Sequence, residues 1–270
     1  IDEANQAFID QLFAYDALDR LSSATGEYGD ISYDYDPVGN RLERTIEKGN
    51  DLTTETYSPL AQSNRLDRVD IDLNSQSQAR VFSYDPRGNI VSETFDGQTT
   101  QIAYNAMSRP TTWTRGEQSV SYTHNALGQR TVISASTSTT HFHYNESGLL
   151  IAESDANGTL QREYICANGK MIAVVISDSS ATNGFAVYAV HNDHLSTPQA
   201  ITESDQEGVW QVAEQTPFGE VSIDSDPDGD GSAFVFNIRF PGQYYDQETQ
   251  TSYNYFRNYD PSLGRYIQSD

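Results

Sequence analysis

A step of twenty residues constrains what this chain can become. Between Tyr84 and Leu150 an aromatic residue followed by Asp or Asn returns at that step, in Tyr84-Asp85, Tyr104-Asn105, His124-Asn125 and Tyr144-Asn145. Four positions after each aromatic stands Gly88, Ser108, Gly128 or Gly148. Upstream the step links Tyr15-Asp16 to Tyr35-Asp36, with Asp19 and Gly39 in the fourth position. In Tyr84-Asp85-Pro86-Arg87-Gly88 the Asp can bond backbone two residues on, Pro presets φ at the first corner, and Gly supplies the left-handed residue of a bulged hairpin. Flanking residues alternate, as in Ile31, Tyr33, Tyr35 against Ser32, Asp34, Asp36, the period of a strand with one wet face. One repeat is therefore one hairpin: twenty residues accommodate two strands of about six residues and two turns, without room for a helix. A lone hairpin is marginal, so each pairs with the next. The prediction is an all-β fold, a curved continuous antiparallel sheet of stacked hairpins over residues 1–150, closed by a different, terminal module over 151–270.

The step is lost between Leu42 and Val81, where Tyr57-Ser58-Pro59 and Asn64-Arg65-Leu66 read as a degenerate copy with a longer loop. Residues 1–12 fit a short helical turn or an incoming strand. After Tyr144, Gly158, Gly169 and Gly184 punctuate apolar strands such as 171–176 and 185–190, as expected of a segment that covers the last strand of a repeat sheet. The start at Ile1 suggests a piece cut from a longer chain. It carries no charged-then-apolar leader and no run of about eighteen apolar residues that would span a bilayer.

Charge narrows the partners. The chain has 39 acidic and 16 basic residues, a net charge of −23, which argues against nucleic acid and anionic membrane, both polyanions. A solvated acidic surface is one reading; a wall that attracts a basic cargo or divalent cations is the other. The single cysteine, Cys166, excludes a disulfide framework.

Two groups of residues offer metal ligands. Asp224, Asp226, Asp228 and Asp230 alternate with other residues and run into Gly229 and Gly231, a spacing that lets oxygens converge on Ca²⁺. Position twelve from Asp226 is Asn237, so the closing acid is missing, and a polar hairpin insertion is the other reading. His191 and His194 lack a third ligand at zinc spacing. The aromatics Tyr244, Tyr245, Tyr253, Tyr255, Phe256, Tyr259 and Tyr266 form either a glycan platform or the packing of a terminal plug.

The most specific words come last: Tyr188 to Ala200 around His191-Asn192-Asp193-His194-Leu195, then Pro217-Phe218-Gly219-Glu220, then Ile238-Arg239-Phe240-Pro241-Gly242-Gln243-Tyr244-Tyr245-Asp246, then Tyr259-Asp260-Pro261-Ser262-Leu263-Gly264-Arg265-Tyr266. In this order they resemble the core of the Rhs and YD-repeat shell proteins, and with the repeats the resemblance covers the whole chain. It implies a hollow β-shell that encloses a C-terminal toxin or effector domain, a secreted or cell-surface location, and two partners: that effector and the upstream shell of the same chain. It further implies release of the effector by self-cleavage past the chain's end, with two aspartates acting as in an aspartic protease. The match places them at Asp246 and Asp270; Arg239 is a candidate to hold a carboxylate in a bidentate fork. The scissile bond would lie beyond Asp270, outside this sequence. Read without the resemblance, Asp246 is a turn-capping carboxylate. A resident cofactor other than calcium is not expected. The competing function is a surface recognition module whose tyrosine-rich sheet and acidic loops bind glycan, calcium or protein.

Overall fold

A computed structural model describes residues 11–178 and 183–269. Every described regular element is a strand. Twenty strands, from β1 (Leu12–Tyr15) to β20 (Val221–Asp224), belong to one sheet in which consecutive strands pair antiparallel. A second sheet follows, made of β21 (Tyr244–Asp246), β22 (Thr251–Asn254), β23 (Arg257–Asp260) and β24 (Arg265–Tyr266), again paired in sequence order. The all-β, continuous antiparallel architecture expected from the repeat is the observed one. The ambiguous start resolves in part: Leu12–Tyr15 is a strand, while residues 1–10 lie outside the described residues.

The turn that the repeat encodes accounts for each of its letters. At Asp36 one carboxylate oxygen accepts the amides of Val38 and Asn40, and the other accepts the Asn40 side chain. The backbone closes the loop twice, Gly39 N–H to Asp36 C=O and Asp36 N–H to Asn40 C=O. Asn125 does the same with Leu127 and Gln129, which is why Asn replaces Asp without loss. The fourth residue needs positive φ, +92° at Gly39 and +89° at Gly88. Ser108 adopts +56° at the same place. The aromatic has a separate job. The hydroxyls of Tyr35 and Tyr144 donate to the carbonyls of Leu21 and Arg130, fourteen residues back, and that of Tyr84 donates to Leu66. In these three repeats tyrosine therefore ties the hairpin to an earlier one, a bond phenylalanine cannot make.

This turn continues past residue 150. Asp155–Thr159, Asp193–Thr197, Glu203–Glu207 and Thr216–Glu220 show the same pair of backbone hydrogen bonds, with Gly158, Ser196, Gln206 and Gly219 at positive φ. Thr216 and Glu203 replace Asp, so the geometry outlasts the sequence signature.

The chain divides into two compact units. One holds the residues through Gln101 with Glu214–Glu220 and Ser269; the other holds Ile102–Ala213 and Val221–Gln268. The core of the first gathers Ala24, Tyr28, Ile31 and Tyr33, with Phe218 edge-on to Tyr33 at 5.3 Å. In the second, Tyr164, Val174, Val190, Ile201, Val209, Trp210 and Phe236 are buried together. The alternation of β11 (Gln118–His124), with Val120 and Tyr122 buried between exposed neighbours, is the period-two pattern that the sequence predicts.

Candidate functional site

Asp246 ends β21, and its main-chain carbonyl accepts the amides of Thr249 and Gln250. The backbone, not the carboxylate, makes this turn. The carboxylate points the other way, into a bidentate ion pair with Arg130 of β12 (Arg130–Ser134). The two side chains are 0% and 1% exposed. The guanidinium lies within 5.5 Å of the ring centres of Tyr122, Phe142, Tyr244 and Tyr253, closest to Tyr253 at 4.4 Å. Tyr253 also accepts the Arg130 amide through its hydroxyl at 2.8 Å. Burial pushes the Asp246 carboxyl above the ordinary range, and the charge and hydrogen bonds of Arg130 oppose the rise. Burial likewise opposes the charge on Arg130, but Asp246 more than offsets it and holds the group charged.

Asp260, at the end of β23, is the second buried carboxylate of the terminal sheet, 7% exposed. One of its oxygens accepts the Ser262 amide at 2.9 Å, the Ser262 hydroxyl at 2.6 Å and the Leu263 amide at 3.2 Å. The turn it caps contains Gly264 at φ +64° and sends the chain back along β23. There Tyr266 faces Tyr259, Arg265 faces Asp260, and the Ile267 amide bonds the Asn258 carbonyl. The Gln268 side chain accepts the Asn258 amide at 2.7 Å. The segment that leads toward Asp270 thus starts opposite Asp260 at Arg265 and runs away from it past Asn258; Asp270 itself lies outside the described residues. The Tyr259-Asp260-Pro261 word is visible in the sequence, but its Asp reads there only as part of a turn.

Arg239 does not hold Asp246. Its Nη1 donates to the carbonyls of Phe236 and Ile238, and the guanidinium lies over Tyr245 and Trp210. Burial pulls it down to about 10, against the favourable pull of Tyr245 and Tyr244. The fork that the sequence reading sought is that of Arg130, 116 residues before its partner. A signal for it existed. Arg130 stands six residues after the aromatic and opposite it, where Leu21, Ile90 and Leu150 stand in other repeats but Arg41 in that of Tyr35, so the charge at this position narrowed the choice to two arginines.

Asp226, Asp228 and Asp230 bring one carboxylate oxygen each within 4.8 Å of one another. Asp224 stands apart and accepts the Gln211 side chain and the Asp226 amide. Desolvation, a hydrogen bond with Asp228 and the neighbouring charges raise the Asp226 carboxyl. The His191 ring bonds the Thr202 hydroxyl at 2.9 Å, and no group of three ligands forms around His191 and His194 among the described residues. Of the seven aromatics, Tyr244 and Tyr253 surround Arg130, while Phe256 is largely exposed.

The family model of the teneurin YD-shell matches residues 43–173 and 168–270. Among characterised proteins, the double-stranded DNA deaminase toxin A of Burkholderia cenocepacia is 25% identical over 96% of the chain. The probable deoxyribonuclease RhsA of Dickeya dadantii is 24% identical over 90% of it, and the toxin protein Tse5 of Pseudomonas aeruginosa 34% identical over 30%. The chain spans 20%, 14% and 6% of those three proteins' lengths. Of solved structures, the Photorhabdus luminescens Tc holotoxin pore and the TcdB2–TccC3 complex carrying a TEV element both align with 96% of the chain at 14% identity, with TM-scores of 0.42 and 0.41, over 19% of the matched chain in each case.

Proposed function

The chain belongs to the teneurin YD-shell family, and from that premise we propose that it is the closing segment of a β-shell that encloses a toxic effector carried on the same polypeptide. The family match over residues 43–173 and 168–270 carries this reading. The names of the relatives support it: two of the three are toxins and the third is a probable deoxyribonuclease. The partners on this reading are the upstream shell and the downstream effector, and the location is outside the producing cell or on its surface.

Release is by self-cleavage beyond Asp270. The reaction needs two carboxylates close together, one protonated to polarise the scissile carbonyl and one ionised to activate water. Asp270 is one. The other is Asp246, whose carboxyl burial raises above the ordinary carboxylate range while Arg130 opposes the rise and fixes its orientation in a bidentate fork.

The test restores the native residues that follow Asp270 and follows the chain by intact mass. Two fragments should appear without added protease, at a rate independent of protein concentration because the reaction is intramolecular. Asp246→Asn and Asp270→Asn should each leave the chain whole while keeping its strand content. An extended wild-type chain that folds and stays whole rejects release by self-cleavage and favours the recognition module.

A further inference from the structure

We propose that the repeat turn of residues 85–89 is the seat of the residue that precedes Asp270, and that Gly88 is a positioning residue for release, because Ser269 rests where its side chain would be. The release part of this inference rests on the function proposed above; the seat itself does not.

The turn alone does not demand glycine. Its fourth position takes positive φ, and Asp19, Ser108, Ser196 and Gln206 adopt it there with side chains, at +58°, +56°, +68° and +77°. Where glycine does stand, the surroundings differ from turn to turn. A Cβ at Gly39 or Gly158 would meet nothing within 4 Å. A Cβ at Gly88 would lie 3.3 Å from the Cβ and 3.5 Å from the Oγ of Ser269, with the Arg65 Cδ at 3.9 Å. The first of these distances is inside the optimal carbon–carbon separation of about 3.5–4.0 Å. A side chain at Gly88 therefore pushes Ser269 away, whereas the same side chain at Gly39 costs only backbone strain. Ser269 belongs to the compact unit of this repeat.

The seat is built of fixed groups. The Asp85 carboxylate accepts the amides of Arg87 and Asn89 at 2.9 and 3.0 Å and the Asn89 side chain at 2.8 Å, and Asn89 is fully buried. Beside the turn, the Arg65 Nε donates to the Ser63 hydroxyl at 3.2 Å, and the guanidinium lies 5.5 Å from the centre of the Tyr84 ring. Covalent geometry puts the Cα of the next residue about 3.8 Å from that of Ser269, so holding Ser269 leaves Asp270 little range. A reacting group tolerates little displacement, since a misplacement of about 1 Å can cost about a hundredfold in rate.

A cysteine pair tests the seat in the chain as it is. With Cys166→Ser to remove the native thiol, Gly88→Cys and Ser269→Cys bring two Cβ atoms to within a few tenths of an ångström of the usual disulfide separation, about 3.5–4.5 Å. Under diamide this pair should close at least about tenfold faster than Gly39→Cys with Ser269→Cys, read by intact mass as the loss of two hydrogens. A pair that stays open, or equal closure of the two pairs, overturns the seat.

The extended chain tests the positioning. Gly88→Gln and Gly39→Gln are matched variants, because Gln206 already occupies the equivalent place at positive φ. Both should keep their fold and lose some melting temperature to backbone strain. Only Gly88→Gln should also cut at least about tenfold more slowly than wild type, by the same factor at every pH, since the turn residue does not titrate. An unchanged rate in Gly88→Gln, or an equal loss in Gly39→Gln, overturns the positioning role. If the extended wild type folds and stays whole, the release reading fails alone and the cysteine pair still decides the seat.

Discussion

Three of the places where carboxylates are buried or gathered differ in how many arginines serve them. Asp246 has Arg130 to itself, both side chains fully buried. Glu55 and Glu220 share Arg44: the guanidinium forks onto Glu55 and also reaches Glu220, whose side chain is 31% exposed. Asp226, Asp228 and Asp230 have no ion pair with any basic residue among the described residues. The first arrangement is all or nothing, since losing either partner strands a charge in an apolar cage. The second is redundant, since Arg44 keeps one carboxylate if the other goes. The third is incomplete, and its carboxylates repel one another.

The largest effect should come from breaking the exclusive pair. Asp246→Asn leaves the Arg130 guanidinium charged and buried, and by the usual cost of an uncompensated charge it should destabilise its unit by about 3–5 kcal/mol in denaturant unfolding. A loss under about 1 kcal/mol would mean that water reaches Arg130 and that the pair is not exclusive.

Acid should separate the two arginine sites next. All five histidines lie between residues 124 and 194, in the unit of Arg130. Burial, with the charges of Arg130 and Arg109, lowers His124 from 6.5 to about 4. A folded-state pKa below the unfolded one means that the unfolded chain binds the extra proton first. The stability is therefore intact above pH 6.5 and falls as the pH drops from there toward 4. His124→Tyr, which restores the residue that the other repeats use, should flatten this slope. The test is the denaturant midpoint against pH, and an unchanged slope would show that His124 is not its source.

These contrasts also mark how far the sequence could be read. The repeat turn was legible because Asp36, Pro37 and Gly39 act within five residues and each does a separate local job. The tie from each tyrosine hydroxyl to the preceding hairpin was not, since nothing in a Tyr-Asp pair says whether the ring is packing or donating. Arg130 and Asp246 were less legible still, because their meeting depends on where a second sheet seats itself. Asp246 stood out by its motif but its burial against Arg130 did not, while Asp260 read as part of a turn and caps one. Local chemistry is written locally; burial is decided by the whole fold.

The shared arginine should respond less than the exclusive one. Glu220→Gln removes one of the two carboxylates on Arg44 and keeps the shape of the Thr216–Glu220 turn. Glu55 still neutralises the guanidinium, and the Glu220 side chain is partly in water. The expected loss is about 1 kcal/mol, as for a partly exposed ion pair. A loss as large as that of Asp246→Asn would show that Arg44 depends on Glu220 and would erase the distinction between shared and exclusive sites.

The smallest effect belongs to the carboxylates without an arginine. Asp226, Asp228 and Asp230 converge as a hard cation requires, and a divalent ion would relieve the repulsion that raises Asp226. The side chain of Asn237 stands at the position of the closing acid but donates to the Tyr244 hydroxyl and accepts from Gln247, so three carboxylates without a bidentate fourth should bind in the weak, millimolar range. At a calcium concentration equal to the dissociation constant, mass action adds about 0.4 kcal/mol, a rise of a degree or two in melting temperature for a chain of this size. Magnesium should do less, because three carboxylates do not supply the tight octahedron that it demands. Asp228→Asn should abolish the rise. An equal rise in that variant would place the calcium effect elsewhere on the acidic surface, and no rise with the wild type at several millimolar would make the loop a polar hairpin whose charges are left to solvent.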